Sequence, residues 1–222
     1  MAIDQWLLEQ HRQGLQPPSL RFYTWSPAAI SLGYHQKRYP SRWARLTWQG
    51  QLLEQVRRPT GGRAVLHQGD LTYALVTSGL SGSRMAIYRC LCQFLIDGWQ
   101  SLGVTLQFGT AGRSYAHTSS CFSTATAADL ITPEGYKLIG SAQLYRAGCV
   151  LQHGSIRLRP DPQLYEQVFA ARLPPRPVSC DRPAADVVAA LVQAARSLGI
   201  QFTYQPLSPG EIELAQRRSA LD

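Results

Sequence analysis

Residues 129–159 read DLITPEGYKLIGSAQLYRAGCVLQHGSIRLR. Two turn signals divide this stretch, Pro133-Glu134-Gly135 and Arg146-Ala147-Gly148, and Pro160 closes it. The pattern predicts three consecutive antiparallel strands over 129–132, 136–145 and 148–159. A hairpin turned at 146–148 lays KLIGSAQ (137–143) beside LQHGSI (151–156), so the polar and small residues of both segments become neighbours.

Working outward, the clearest helix is 83–101. Met85, Tyr88, Leu91, Phe94, Leu95 and Trp99 recur at helical spacing, and Gly103 supplies a stop. Cys90 and Cys92 are two apart and do not share a face; both read as packing residues. A strand is expected at 104–107, followed by the small polar loop GTAGRSYAHTSSC, which ends on Cys121. Nearer the start, a helix is expected at 2–13 and strands at 20–25, 29–32, 46–48, 55–58, 64–67 and 71–77. Beyond Pro160 the pattern predicts a helix at 162–170 with Asp161 as its cap, a proline-rich connection, a helix at 184–198, a short strand at 202–204 and a helix at 209–218. Helices flanking a central, mostly antiparallel sheet make the class α+β. The expected organisation is one domain over 1–222, with 161–222 as a helical tail.

The composition narrows the function classes. The chain has 222 residues, 45% of them hydrophobic, enough for a full core. No apolar run is long enough to span a bilayer. The opening MAIDQWLLEQHRQG is interrupted by Asp4 and Glu9 and has no export pattern, so the expected compartment is the cytoplasm, without membrane partners. Five cysteines without a CxxC pair argue against a disulfide framework or a structural zinc site. Lys and Arg number 22 against 14 acidic residues, a net charge of +8. The basic residues are scattered and do not alternate with aromatics, which disfavours nucleic acid; an acidic protein partner suits the charge better.

Three segments carry candidate chemistry. The first is RRPTGGRAVLH (57–67), in which Arg57, Arg58 and Arg63 surround a Pro-Thr-Gly-Gly turn. Gly61 and Gly62 lack Cβ atoms and allow a ligand close to the backbone, and exposed N–H groups in such a turn form an anion-binding concavity; a basic hairpin turn accounts equally well for the same residues. His67 reads as a site residue or as a satisfied buried histidine. The second segment centres on Cys121, which lies in a polar loop rather than a helix. A neighbouring cation lowers a thiol's pKa, and a drop of about 1.5 units from ~8.5 makes roughly half of it thiolate at pH 7. His117 lies close enough in sequence to pair with it, although a solvated surface histidine fits as well. The third segment is the hairpin itself. Gly140 and Gly154 would let a bound chain pass close to the sheet, while Ser141, Ala142 and Gln143 leave room for an apolar ligand with a polar end. Lys137 is either solvated or placed to hold a phosphate or polarise a carbonyl.

Taken together, RRPTGGRAVLH, GYKLIGSAQ and LQHGSI, with MAIDQWLLEQ and RFYTWSPAAISLGYHQ ahead of them, resemble the biotin/lipoate protein ligase and octanoyltransferase superfamily over roughly residues 1–160. Cys121-Phe122 resembles the Cys-Phe of its cysteine-dependent octanoyltransferases from Gram-positive bacteria. The resemblance implies transfer of an octanoyl group from octanoyl acyl carrier protein, through a thioester on Cys121, to a lysine of an acidic lipoyl domain or glycine cleavage H-type protein. It implies that Lys137 contacts the acyl carbonyl region, that the turn from Arg57 through Thr60, Gly61 and Gly62 to Arg63 borders the acyl site, and that His153 lies in the cleft. Neither metal nor ATP is required, since a thioester already carries the activation. Arg63 stands where many lipoate ligases have a third glycine, a departure from their adenylate-binding loop. An ATP-dependent lipoate ligase and an octanoyl amidotransferase between lipoyl-domain proteins are the alternatives.

Overall fold

A computed structural model describes residues 1–109 and 126–219. Along the chain the elements are α1 (Ala2–Arg12), β1 (Ser19–Tyr23), β2 (Ala29–Leu32), β3 (Thr47–Trp48), β4 (Gln51–Leu52), β5 (Glu54–Arg57), β6 (Val65–His67), β7 (Asp70–Ser78) and α2 (Arg84–Ser101). They continue with β8 (Gln107–Phe108), β9 (Asp129–Ile131), β10 (Lys137–Arg146), β11 (Cys149–Arg157), α3 (Pro162–Phe169), α4 (Ala184–Ser197) and α5 (Pro209–Ser219).

The three strands that the opening stretch predicts are present, and they organise the larger sheet. Its order is β1-β7-β11-β10-β9-β8, with antiparallel pairing throughout. The β10–β11 hairpin closes on Ala147 and Gly148, both at positive φ, the geometry of a two-residue turn whose twist matches its strands. A second sheet, β5-β2-β6, pairs β2 with β5 in parallel and with β6 antiparallel. The fold is thus α+β with a mostly antiparallel central sheet.

Strand alternation assigns each face of the large sheet its own cover. On one face Tyr73, Leu138 and Ile156 pack with Leu95 and Trp99 of α2 and Leu191 of α4. On the other, Ala74, Val76 and Leu151 meet Trp6, Leu7 and Leu8 of α1 and Ala215 of α5. A third cluster joins Ile30 and Trp43 of the small-sheet region to Leu164 and Val168 of α3. The helices after Pro160 therefore do not form a tail: each closes a different part of the core.

Helix α2 begins where the sequence suggests, with the Ser83 hydroxyl accepting the Ala86 N–H at 3.2 Å. Met85 and Cys90 are exposed, contrary to their reading as core, while Cys92 is buried; residues two apart on a helix cannot share its apolar stripe. Two expected strands fail. Only Gln107–Phe108 of the 104–107 region pairs, while Val104 and Leu106 pack as loop residues. Residues 202–204 join no ladder, and Tyr204 is exposed; short aromatic alternation makes a strand only where a sheet edge accepts it. Conversely, β4 is an unpredicted strand, turned back onto β3 at Gln49 and Gly50.

Candidate active site

The register of the central strands brings together the residues that carry chemistry. His153 of β11 faces Ala142 on one side and Ala74 on the other; Ser155 faces Gly140 and Thr72. Cross-strand partners share a face, so Gly140, Ala142, His153 and Ser155 lie together on the α1 side. Lys137 joins them through a register shift between Lys137 and Ile139. A Cβ placed on Gly140 would lie 3.1 Å from the Lys137 side chain.

The same alternation sends Ser141, Gln143 and Gly154 to the opposite face, under α2. Ser141 shares a 2.7 Å hydrogen bond with the Tyr73 hydroxyl, and Gln152 donates to that hydroxyl at 3.0 Å. Gln143 donates to Gln152 at 2.8 Å. Gly154 was expected to open the sheet to a ligand, but its space is taken: a Cβ there would come within 2.6 Å of both Tyr73 and Ser141. Buried Cys92 beneath this network is pushed up to about 12, chiefly by desolvation, which keeps it a thiol.

Lys137 is not solvated. It is buried and pairs with Asp129 at 2.8 Å, both side chains 4% exposed. Asp129 also accepts the Thr126 N–H at 2.6 Å and the Thr126 hydroxyl at 2.9 Å, while its carbonyl accepts the Gly109 N–H at 2.9 Å. Gly109 and Thr126 flank residues 110–125. His117, Cys121 and Phe122 lie outside the described residues.

The glycine turn is gripped by two buried hydrogen-bond chains. In one, the Thr60 hydroxyl meets His153 Nε2 at 2.6 Å, and His153 Nδ1 meets Asp4 at 3.3 Å. Asp4, fully buried on α1, also accepts from Arg21 at 2.8 Å and from the Tyr23 hydroxyl at 2.7 Å. Burial alone would push Asp4 up, but its donors outweigh that and hold it below the usual carboxylate range. Burial holds His153 below its ordinary value, hence neutral. Since an ionised carboxylate only accepts, Nδ1 carries the ring proton and Nε2 accepts from Thr60.

In the other chain, Arg58 donates to the Ser31 hydroxyl and carbonyl, each at 2.7 Å; Ser31 meets His67 Nε2 at 2.7 Å, and His67 Nδ1 meets Asp70 at 2.8 Å. Asp70 also accepts from Ser155 at 2.7 Å and from Thr72 at 3.3 Å. Trp25 stacks on the His67 ring at 4.2 Å and donates to Thr72 at 2.9 Å. His67 is thus a satisfied buried histidine.

Arg58 therefore works inward, while exposed Arg57 is engaged by backbone carbonyls. Arg58 is buried and reaches the carbonyls of Gly61 and Arg63, at 3.3 and 2.7 Å. Arg57 donates to the carbonyls of Gly33, Tyr34 and Gln36. Gly62 has φ +100°, and a Cβ on Gly33 would lie 1.8 Å from the Gly62 oxygen, so turn and β2 end meet backbone to backbone. Around a Cβ on Gly61 there is open space. Asp4 and Ser31 escape sequence reasoning because their partners lie far along the chain, whereas the three-residue spacing of His67 and Asp70 and the placing of Asp129 and Lys137 on adjoining strands of one hairpin were local signals. Among the described residues no three His, Cys, Asp or Glu side chains converge as a metal site, and no helix is long and apolar enough to cross a membrane.

Comparisons with known proteins establish the family and the fold. Residues 1–201 match the lipoyl protein ligase A/B catalytic domain. The chain is 37% identical over 181 residues to an octanoyltransferase LipM of Lysinibacillus sphaericus, covering 76% of this chain and 64% of that protein. It is 41% identical over 165 residues to an octanoyltransferase LipM of Moorella thermoacetica, covering 71% and 60%. The chain thus spans less than two thirds of the length of these curated relatives. A lipoate-protein ligase A bound with ATP has a similar fold, with TM-score 0.76 at 22% identity over 99% of this chain and 87% of that one. So does a bipartite lipoate protein ligase of Thermoplasma acidophilum, with TM-score 0.73 at 21% identity over the same shares. By the domain match over most of its length and by relatives well above 30% identity, the chain belongs to the lipoyl protein ligase A/B catalytic domain family.

Proposed function

We propose that this chain is an octanoyltransferase that moves an octanoyl group from octanoyl acyl carrier protein, through a thioester on Cys121, to a lysine of an acidic lipoyl domain or H-type protein. Its identity to proteins named octanoyltransferase LipM supports the activity. One structural observation supports this reading of the site: Gly109 and Thr126, which flank the segment containing Cys121, both donate to Asp129, the partner of Lys137. We read residues 1–222 as one catalytic domain acting in the cytoplasm.

In the proposed reaction the Cys121 thiolate attacks the carbonyl carbon of the donor thioester. The carbon–sulfur bond to the carrier breaks, and the carrier's sulfur leaves as a thiolate that takes up a proton equivalent to the one Cys121 released on ionising. The acceptor's neutral ε-amine then attacks the acyl-enzyme; a carbon–nitrogen bond forms, the bond to Cys121 breaks, and a proton from the amine returns to sulfur. The Lys137 ammonium, held by Asp129, supplies positive charge for the oxyanion in both steps. Gly140 and Ala142 keep the sheet low beside it, and Gly61 leaves the turn side open.

Mixing the protein with octanoyl carrier protein and no ATP tests this reading. The expected product is one added group of about 126 Da, labile to neutral hydroxylamine as a thioester should be and mapped to Cys121. Cys121→Ala should lose transfer. Parental transfer by that variant, or modification that needs only octanoate and ATP, would replace the reading with the ligase alternative.

A further inference from the structure

We propose that the exposed cations of residues 34–45 form the docking surface for the acidic carrier that delivers the acyl group; the proposal rests on the transferase reading and locates its donor. The net charge is unevenly distributed. No acidic residue occurs from 10 to 53, and 34–63 hold seven cations against Glu54. Lys37, Arg38, Arg42 and Arg45 are all exposed, and none forms an ion pair with a described residue. Some exposed arginines elsewhere are paired, as Arg159 is with Asp181 and Arg217 with Glu213, but among the described residues none of these four is.

This segment is a firm platform rather than a loose loop. Ser41–Arg45 is a 3-10 turn pinned by Trp43, which is fully buried and donates to the Val168 carbonyl at 2.8 Å. Tyr39 stacks on Trp43 at 5.9 Å, and Tyr34 is 58% exposed beside the cations. The platform is fastened to the glycine turn, because Arg57 clamps the carbonyls of Gly33, Tyr34 and Gln36, and the Tyr34 N–H donates to the Thr60 carbonyl at 2.9 Å. A partner docked here would therefore address the turn directly. Fixed, unneutralised charge of one sign at the mouth of a site steers an oppositely charged partner and raises its rate of encounter.

The geometry favours the donor over the acceptor. The platform belongs to the small-sheet region, whereas Lys137 lies on β10 of the large sheet. A carrier holding its acyl group on a long phosphodiester arm keeps its body away from the reacting carbon, while an acceptor lysine must bring its own backbone there.

The test compares the parent protein with Lys37→Glu/Arg38→Glu and with Arg45→Glu, leaving Arg42, which donates to the Val168 carbonyl, untouched. Affinity for octanoyl carrier protein is measured by titration at several salt concentrations, alongside transfer from octanoyl-pantetheine, which lacks the protein body. The expected result is carrier affinity weakened at least about tenfold with a flatter salt dependence, and unchanged transfer from the small thioester. Unchanged carrier affinity would overturn the proposal, as would weakened acceptor affinity in its place. If the parent binds the carrier with this charge dependence yet transfers from neither donor, the docking surface stands and the transferase reading falls.

Discussion

The two hydrogen-bond chains that hold the glycine turn have the same order, carboxylate to imidazole to hydroxyl, but different construction. In the Asp70–His67–Ser31 chain the acid and the imidazole are three residues apart, and Ser31 comes from β2, the strand paired with β6. In the Asp4–His153–Thr60 chain the acid belongs to α1, the imidazole to the large sheet and the hydroxyl to the turn. The first therefore depends on local strand pairing, the second on the docking of α1. Each carboxylate accepts from three side chains, but the local chain has more members, since Arg58 donates to its Ser31 and Trp25 covers its histidine. Redundancy of this kind makes a site rigid, whereas a chain spanning distant elements reports whether those elements are assembled.

Four experiments probe this difference. Asp70→Ala should have the largest effect, costing about 3–5 kcal/mol in denaturant unfolding, because it strands His67, Ser155 and Thr72 as buried donors. A loss below that of Asp4→Asn would invert the ranking argued here. Asp4→Asn keeps the shape and an acceptor for Tyr23 but weakens the Arg21 pair, so a loss of about 1–3 kcal/mol is expected. Nitrogen chemical shifts should show the His153 ring proton leaving Nδ1 in that variant, while His67 stays unchanged; two unaltered rings would remove the claim that Asp4 sets the tautomer.

The pH dependence separates the chains further. His153 is held neutral in the fold by burial, while the unfolded chain takes up a proton near its ordinary value of 6.5. The unfolded state thus binds more protons below that value. This contribution to stability is complete above about pH 6.5 and declines as pH falls toward the lowered folded value; Asp4, also lowered, extends the loss to more acid conditions. Thermal melts of His153→Gln should lose the decline that starts below 6.5. If they follow the parental slope, His153 is not its source. The smallest effect on stability should come from Gly61→Ala. Its Cβ meets open space and its φ lies outside the left-handed region, so the melting temperature should shift by only a degree or two while transfer slows. Parental turnover would place the acyl path away from the turn.

The contrast also measures how far sequence reading reached. The β10–β11 hairpin, its neighbour β9 and helix α2 were legible, because turn residues at 133–135 and 146–148 and a 3.6-residue apolar period act over a few positions. Gly140, Ala142, Lys137 and His153 do share one face, as their neighbouring segments suggested. Ser141, Gln143 and Gly154 do not, because adjacent strand residues point opposite ways.

From its own pattern, then, the chain settles its class, its central hairpin and the register that sets residue beside residue, since hydrogen-bonding period and turn chemistry are local properties. What covers each face is decided by assembly: α2 and α4 pack on one, while α1, α5 and the glycine turn meet the other. The burial of Arg58 against Ser31 likewise arises only on assembly. A charged side chain enters the interior where its partners wait, and Ser31 is brought to Arg58 by the pairing of β2 with β5, which no local pattern connects.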